Sequence, residues 1–150
     1  PFIFDPGQGM PMFNGEELTQ FIEQATWVTV NDYEWQMMKE KTGLSEKEIT
    51  KEVKALIVTC GGDGSKIYTK EKLIEVPSVK PESISDPTGC GDAYRAGLLY
   101  GLVNDIDLEI TGKIASLMGS IKISCYGTQN HSFTIEEFKS RFESEFGCKI

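Results

Sequence analysis

The hydrophobic positions of the chain follow two spacings, which predict short strands alternating with helices. Runs of β-branched, aromatic and other apolar residues predict strands, because such residues fill a buried pleated surface. The predicted strands cover residues 2–4, 27–30, 55–59, 66–68 and 72–76. The run at 55–59 is the most continuous of these, which is typical of a central parallel strand covered on both faces.

Apolar residues three and four positions apart predict helices after most of these strands. Most predicted helices begin at a polar residue whose side chain can accept a hydrogen bond from the first turn. These residues are Asn14, Asn31, Ser45, Asp107 and Thr134, and a further helix follows the glycine-rich turn at 86–92. Alternating strands and helices indicate a layered α/β fold with a mostly parallel sheet, formed as a single domain over residues 1–150.

Composition narrows the range of functions. The chain has 150 residues and a formal net charge of −8, so we do not expect a nucleic-acid partner bound through a basic surface. No apolar run approaches the ~18–20 residues that span a bilayer, and no signal-peptide pattern is visible, so no membrane partner is expected. An acidic balance still permits a phosphate ligand, because backbone N–H groups and a metal ion supply local positive charge.

The cysteines and the histidine argue against other kinds of site. Cys60, Cys90, Cys125 and Cys148 include no Cys-x-x-Cys pair, which disfavours a zinc site or a disulfide framework and favours free thiols in a reducing cytoplasm. His131 is the single histidine. A multi-histidine metal site is therefore excluded, and a hydrolase with a catalytic histidine is not favoured.

The strongest candidate for chemistry is the polar turn from Asp86 to Asp92, which runs directly into an apolar helical pattern. Gly89 and Gly91 remove Cβ atoms where the backbone must bend and approach a ligand. The helix after them presents free N–H groups and a positive dipole end, which bind anions. A carboxylate at Asp92 would repel a phosphate, so we expect it to face the hydroxyl that attacks the phosphate. The alternative is structural: the glycines shape a helix start and Asp92 stabilises its dipole.

Two better-known nucleotide motifs do not fit this turn. A dinucleotide-binding fingerprint needs a third glycine where Tyr94 stands, and no strand leads directly into the turn. The P-loop pattern, Gly-x-x-x-x-Gly-Lys-Ser/Thr, occurs nowhere in the chain. The turn therefore predicts a different kind of phosphate site.

Two weaker candidates follow predicted strands. Asn31 and Glu34 share one face at the start of a helix, where Glu34 could hold Mg²⁺ through water. A solvated helix start is the alternative there. Thr59, Gly61 and Gly64 follow the carboxyl end of the most apolar strand, where ligands bind in open α/β sheets. The alternative for these residues is a glycine turn between two strands.

Taken in order, these motifs resemble those of one kinase family. Three motifs are similar to the successive ATP-side motifs of the ribokinase-like (PfkB) sugar and nucleoside kinases: Asn31-x-x-Glu34, Val58-Thr59-x-Gly61-x-x-Gly64 and Asp86-x-Thr88-Gly89-x-Gly91-Asp92. The third motif is specific, whereas the first two are weak alone. Pro87 and Cys90 depart from its commonest form, in which Thr and Ala are frequent at these positions.

The resemblance implies a role for each motif. Asp92 is the expected catalytic base, and Gly89, Cys90 and Gly91 are expected to donate backbone N–H groups to the transferred phosphoryl group. The residues expected to bind ATP and Mg²⁺ are Asn31, Glu34, Thr59, Gly61 and Gly64. The helix around Ala115 and Met118, with the loop from Gly127, is expected to line the adenine side. Many members also bind K⁺, and Asp86 and Thr88 occupy the matching segment.

Members of this family are longer than this chain, and their amino-terminal half carries a β-strand lid and most residues that bind the sugar. The chain begins at Pro1 without an initiator Met and resembles their carboxy-terminal, ATP-binding half, as though cut from a larger protein. Its segments 5–8 and 127–131 are most similar to bacterial and archaeal adenosine-kinase-like members. Missing strands would leave sheet edge and apolar surface uncovered, so we expect a homo-oligomer or an amino-terminal half as partner.

The expected function is therefore an ATP-dependent phosphotransferase that phosphorylates a hydroxyl of a sugar or nucleoside, with adenosine as one candidate. Two alternatives remain open at this point. One is a non-catalytic nucleotide-binding module or an inactive fragment of such a kinase. The other is a relative in fold alone that uses the turn structurally.

Overall fold

Five strands form one sheet whose spatial order follows the order in the chain. In the computed structural model, which describes all residues from 1 to 150, the strands are β1 (Ile3–Phe4), β2 (Trp27–Asn31), β3 (Ala55–Thr59), β4 (Ser65–Tyr68) and β5 (Leu73–Val76). Strands β1, β2 and β3 are parallel, whereas β4 pairs with β3 antiparallel. The predicted α/β class with a mostly parallel sheet is confirmed.

Strand β3 differs in one respect from the prediction of a central parallel strand. It is central and buried along most of its length, but it is parallel to β2 alone. The reason is the length of the next connection. Only residues 60–64 separate β3 from β4, and a parallel crossover needs a dozen residues or more.

Six α-helices accompany the sheet, and the predicted helix starts are confirmed. The helices are α1 (Gly15–Gln24), α2 (Asp32–Thr42), α3 (Glu46–Glu52), α4 (Cys90–Val103), α5 (Leu108–Ile123) and α6 (Ile135–Phe146). Capping boxes begin α1, α2, α3 and α6, and the Asp107 side chain caps α5. Two 3₁₀ helices are also present, Gly7–Met12 and Gly61–Asp63, and the second lies in the glycine-rich connection between β3 and β4. None of the α-helices combines the length and apolar character that crossing a membrane requires.

The chain divides into two compact units, and the first comprises residues 1–75. Within it, the apolar residues of β2 and β3 that share one sheet face pack against apolar residues of α1, α2 and α3. These strand residues are Val28, Val30, Leu56 and Val58, and the helix residues include Leu18, Ile22, Met38 and Ile49. The prediction of a single domain over residues 1–150 stays a prediction.

The second unit comprises residues 76–150. Helix α4 lies so close to α5 that a Cβ atom at Gly97 would be 2.7 Å from the Cα atom of Ala115. Helix α6 packs its Phe138 and Phe142 side chains against Ile114 and Leu117 of α5. The two helix contacts make α5 the central element of this unit.

We expect Gly97→Ala to lower the free energy of unfolding by ~1–3 kcal/mol, because the added methyl group meets the α5 backbone rather than a movable side chain. Gly119→Ala is the matched control, since the nearest atom to its Cβ would be the Cys90 carbonyl oxygen at 3.8 Å, an ordinary contact. That variant should gain up to ~1 kcal/mol of helix propensity. Urea unfolding measures both, and equal stabilities would contradict the proposed close contact.

Candidate functional site

The Asp86 carboxylate connects the turn before α4 to the loop after α5. Its Oδ1 atom accepts a hydrogen bond from the Thr88 N–H group at 2.9 Å, and its Oδ2 atom accepts one from the Gly127 N–H group at 2.9 Å. Hydrogen bonds from the Thr88 backbone and side chain, then from the Gly127 backbone, lower the pKa of Asp86 to about 2. The carboxylate is therefore ionised at neutral pH and serves as a fixed acceptor within the fold.

Gly89 occupies a position that only a glycine fills without strain. Its φ of 84° is left-handed, and a Cβ atom would lie 3.2 Å from the carbonyl oxygen of Thr128. The expected bend is therefore present at Gly89, and its close neighbour is the chain itself. The approach of a ligand to this backbone stays a prediction. A Cβ atom at Gly91 would meet only the end of the Arg95 side chain, so the requirement for glycine is weaker there.

The first turn of α4 presents backbone N–H groups in a definite pattern. The Cys90 N–H group donates to the Pro87 carbonyl at 3.2 Å, and the Ala93 N–H group donates to the Gly89 carbonyl at 2.9 Å. The N–H groups of Gly91 and Asp92 lie between these two and precede the helical ladder, so they are available to an anion at the dipole's positive end. Of the donors expected from the sequence, Cys90 is already engaged, and Asp92 adds one that the sequence did not suggest.

The Asp92 carboxylate lies in the same turn and is open to solvent. Its side chain is 83% exposed, and its Oδ1 atom is 3.8 Å from Nη1 of Arg95, one turn further along α4. A loose, exposed ion pair of this kind holds a carboxylate weakly. An acceptor oxygen thus stands beside free N–H donors, which is the arrangement that proton removal next to a phosphate requires.

Cys90 is half-buried at the first position of α4. Its Sγ atom lies 3.9 Å from the Asp86 carbonyl oxygen. Burial is the largest influence and raises the pKa of the Cys90 thiol, with the Asp86 charge acting in the same direction and Lys122 opposing both. The thiol is therefore neutral at physiological pH.

Lys122, near the end of α5, is a site residue that the sequence analysis missed. It is fully buried, and its ammonium donates to the Asp86 carbonyl at 2.8 Å and to the Cys125 carbonyl at 3.0 Å. The only signal in the sequence is a lysine between two isoleucines, Ile121 and Ile123, on an otherwise apolar stretch. Lysine is almost never fully buried without a partner, so the observed contacts are specific.

In the first unit, Asn31 and Thr59 end adjacent parallel strands and are register partners. Glu34 forms a capping box with Asn31: the Glu34 N–H group donates to Asn31 Oδ1 at 2.7 Å, and Glu34 Oε2 accepts from the Asn31 N–H group at 2.8 Å. Glu34 is only 8% exposed, whereas the glutamates of the other three capping boxes are exposed. The Glu34 carboxylate is therefore buried and hydrogen-bonded rather than solvated, whereas Asp32 and Tyr33 at the same helix start are exposed. The binding role of Asn31 and Glu34 stays a prediction.

Gly61 and Gly64 form the turn that the structural alternative described. Both have left-handed or positive φ values, 54° and 89°, and the Gly64 carbonyl accepts from the Cys60 N–H group at 2.8 Å. Nothing lies within 4 Å of a Cβ atom at Gly61, so the backbone there is open to a ligand. The contact of Thr59, Gly61 and Gly64 with a nucleotide stays a prediction.

Ala115 and Met118 both contact Gly97 of α4. Ala115 has no exposed surface, so the structure assigns it to helix packing and offers none of it to a nucleotide. The predicted contact of Ala115 with adenine is untested, and the burial of its side chain against α4 argues against it. Met118 is half-buried and keeps part of its side chain accessible.

Within each unit, some of the predicted residues lie together. The first unit brings together Asn31, Glu34 and Thr59, and the second brings together Asp86, Thr88 and the 89–92 turn. The chain contains no group of three or more histidine, cysteine, aspartate or glutamate side chains that would hold a metal ion alone.

The low pKa of Asp86 predicts a pH dependence of stability. Its folded value of about 2 lies below the ordinary 3.8, so the stability contributed by the ionised carboxylate is complete above about pH 4 and is lost as the pH falls through 2. Urea unfolding of the wild type and of Asp86→Asn should show a difference that is constant above pH 4 and shrinks below it. A difference independent of pH would contradict the assignment.

Comparisons with known proteins identify the family of this chain. The family described as pfkB family carbohydrate kinase matches residues 6–135. Nucleoside kinases of Methanocaldococcus jannaschii and Thermoplasma acidophilum are 38% and 32% identical, over 93% and 95% of this chain. These matches cover 46% and 47% of the two relatives, so the chain spans about half the length of the curated relatives it matches.

Solved structures give the same result for the fold. Burkholderia thailandensis nucleoside kinase in complex with inosine has a TM-score of 0.97 and 48% identity, covering 100% of this chain and 50% of that one. The M. jannaschii nucleoside kinase, described as an archaeal member of the ribokinase family, has a TM-score of 0.91 and 37% identity, covering 95% and 48%. The expected ribokinase-like fold is confirmed, and the chain belongs to the pfkB family of carbohydrate kinases.

Proposed function

We propose that this chain is the nucleotide-binding part of a kinase that transfers the terminal phosphoryl group of ATP to a hydroxyl of a nucleoside. One observation carries the proposal: the exposed Asp92 carboxylate stands beside the N–H groups of Gly91 and Asp92 at the start of α4. A nucleoside is favoured over a free sugar because the M. jannaschii, T. acidophilum and B. thailandensis relatives are named nucleoside kinases.

The chemistry follows from these groups. Asp92 orients the acceptor hydroxyl and takes its proton, while the hydroxyl oxygen bonds to the γ-phosphorus and the bond to the ADP oxygen breaks. Phosphoryl transfer passes through a loose transition state, so catalysis depends on positioning and on stabilising charge. The N–H groups of Gly91 and Asp92 and the dipole of α4 supply that stabilisation at the transferred group.

Of the residues expected to bind ATP and Mg²⁺, Glu34 is the one with a carboxylate that could hold the ion. Glu34 uses Oε2 to cap α2, and a carboxylate retains further acceptor positions on its second oxygen. Mg²⁺ keeps several waters and binds through one or two carboxylates together with the phosphates of a nucleotide. Glu34 would therefore hold the ion through water, and the ion would neutralise charge on the ATP phosphates. Thr59, Gly61 and Gly64 would contact the nucleotide.

A non-catalytic nucleotide-binding module is the second candidate. It requires only the available N–H groups at the start of α4 and the open backbone at Gly61, without a base role for Asp92. The two candidates differ in whether any acceptor is phosphorylated, so the assay decides between them.

The test measures ADP formation with Mg²⁺–ATP and a panel of adenosine, inosine, other nucleosides, ribose and fructose. It uses the chain alone and a chimera in which the chain replaces the matching half of B. thailandensis nucleoside kinase, which it covers to 50%. We expect the chimera to phosphorylate a nucleoside, and Asp92→Ala to reduce turnover by ~10²–10⁴-fold because the proton acceptor is lost.

Glu136→Ala is the control, since Glu136 is likewise an exposed acid in the first turn of a helix. It should leave turnover unchanged. A loss of less than about tenfold for Asp92→Ala would exclude the base role, because general-base assistance exceeds that factor. Absence of turnover in the wild-type chimera, with ATP still bound, would favour the non-catalytic module.

The proposed role of Glu34 predicts that Glu34→Gln changes the Mg²⁺ requirement of the kinase but has little effect on the unfolding free energy. Glu34→Gln keeps a side-chain oxygen that can accept the Asn31 N–H group, so the unfolding free energy should change by less than ~1 kcal/mol. It removes the charge, so the Mg²⁺ concentration for half-maximal activity of the chimera should rise.

Glu137→Gln alters the corresponding capping box of α6, whose glutamate is exposed, and should leave the Mg²⁺ requirement unchanged. The same Mg²⁺ dependence for wild type and Glu34→Gln would show that Glu34 is only a helix cap.

A further inference from the structure

The buried ammonium of Lys122 is bound in an unusual way. Its hydrogen bonds go to two backbone carbonyl oxygens, those of Asp86 and Cys125, rather than to a carboxylate. Its side chain is completely buried, so solvent does not share in its coordination. A cation held by carbonyl dipoles in place of its hydration shell is also how proteins bind monovalent metal ions.

The two carbonyls belong to the segments that shape the candidate anion site. Asp86 begins the turn that leads to Gly89 and α4, and its carboxylate accepts from the Gly127 N–H group. Cys125 begins the loop that contains Gly127 and Thr128, and Thr128 lies against Gly89. The Lys122 ammonium therefore links α5 to the turn before α4 and to the loop after α5. These two segments contact each other next to the free N–H groups of α4.

The charge at this point is balanced within the chain. The Asp86 carboxylate is ionised at neutral pH, and Lys122 is among the influences that lower its pKa. Both charged groups bind the same turn: the Asp86 carboxylate accepts from the Thr88 N–H group, and the Lys122 ammonium donates to the Asp86 carbonyl. The turn is thus held by an internal cation and an internal anion together.

We propose that Lys122 is a positioning residue whose ammonium serves as a built-in monovalent cation, so that the kinase needs no exchangeable K⁺. The proposal rests on the proposed function. It replaces the expectation of K⁺ at Asp86 and Thr88, because the ammonium already binds the Asp86 carbonyl and supplies the positive charge at this turn. Lys122 acts on phosphoryl transfer through the turn and does not touch the substrate.

The test is cation rescue. Lys122→Ala removes the ammonium and leaves space between the same carbonyls, so K⁺ or NH₄⁺ should occupy it. In the chimera, wild-type turnover should be the same in potassium and choline salts at equal ionic strength. The variant should lose at least ~10-fold in choline, because small displacements of a positioned group carry large kinetic costs, and should recover with saturation in K⁺ or NH₄⁺.

Two further variants separate positioning from stability. Lys122→Met fills the space without charge, so it should lose turnover and gain nothing from K⁺. Lys41→Ala is the matched control, because the Lys41 ammonium also donates to backbone carbonyls, those of Met10, Pro11 and Phe13 in the first unit. It should lower stability without any cation-dependent turnover.

A second readout does not depend on catalysis. The Tm of Lys122→Ala should rise with K⁺ and saturate, since an ion that binds the folded state stabilises it, whereas the wild-type Tm should not respond. Two results would overturn the proposal: a wild-type turnover or Tm that depends on K⁺, or a Lys122→Ala Tm that responds to neither K⁺ nor NH₄⁺.

If the wild-type chimera shows no turnover, the proposed function fails and the Tm comparison still decides the role of Lys122. If Lys122→Ala does not fold in choline, refolding in K⁺ supports the proposal and failure in both salts opposes it.

Discussion

The backbone contact between α4 and α5 is the constraint on which the second unit depends. Glycine at position 97 lets the two helices approach until Ala115 has no exposed surface. At this separation Gly119 of α5 lies beside the Cys90 carbonyl, and Lys122, one turn further, reaches the Asp86 carbonyl. The position of the α4 amino terminus is thus set by helix packing, and the polar contacts of the turn fix its details.

In the first unit, the parallel pairing of β2 and β3 has the corresponding role. It brings Asn31 and Thr59 into register at the carboxyl ends of neighbouring strands, which is where open α/β sheets bind ligands. The capping box then turns the chain into α2 directly after Asn31 and buries Glu34. Polar groups are held at this edge because the strand and helix that carry them are themselves well packed.

The predictable features were local in sequence. Helix starts such as that at Asn14 were predicted because each capping box is formed by residues three positions apart. One contact that was missed is distant: Lys122 and Asp86 are 36 residues apart, and a lysine is ordinarily a surface residue. The engagement of the Cys90 N–H group with Pro87 depends on the fine geometry of the turn, and the burial of Ala115 depends on a neighbouring helix. Residue patterns carry neither kind of information.

The neutral thiol of Cys90 has an electrostatic consequence. Thiols at helix amino termini commonly ionise, because the dipole favours the thiolate. Here burial keeps the proton on sulfur, so the helix start carries one negative side chain, Asp92, instead of two. A second negative charge would compete with any incoming polyanion for the same field. By remaining protonated, the sulfur adds no further negative charge to the field that the helix dipole presents to a ligand.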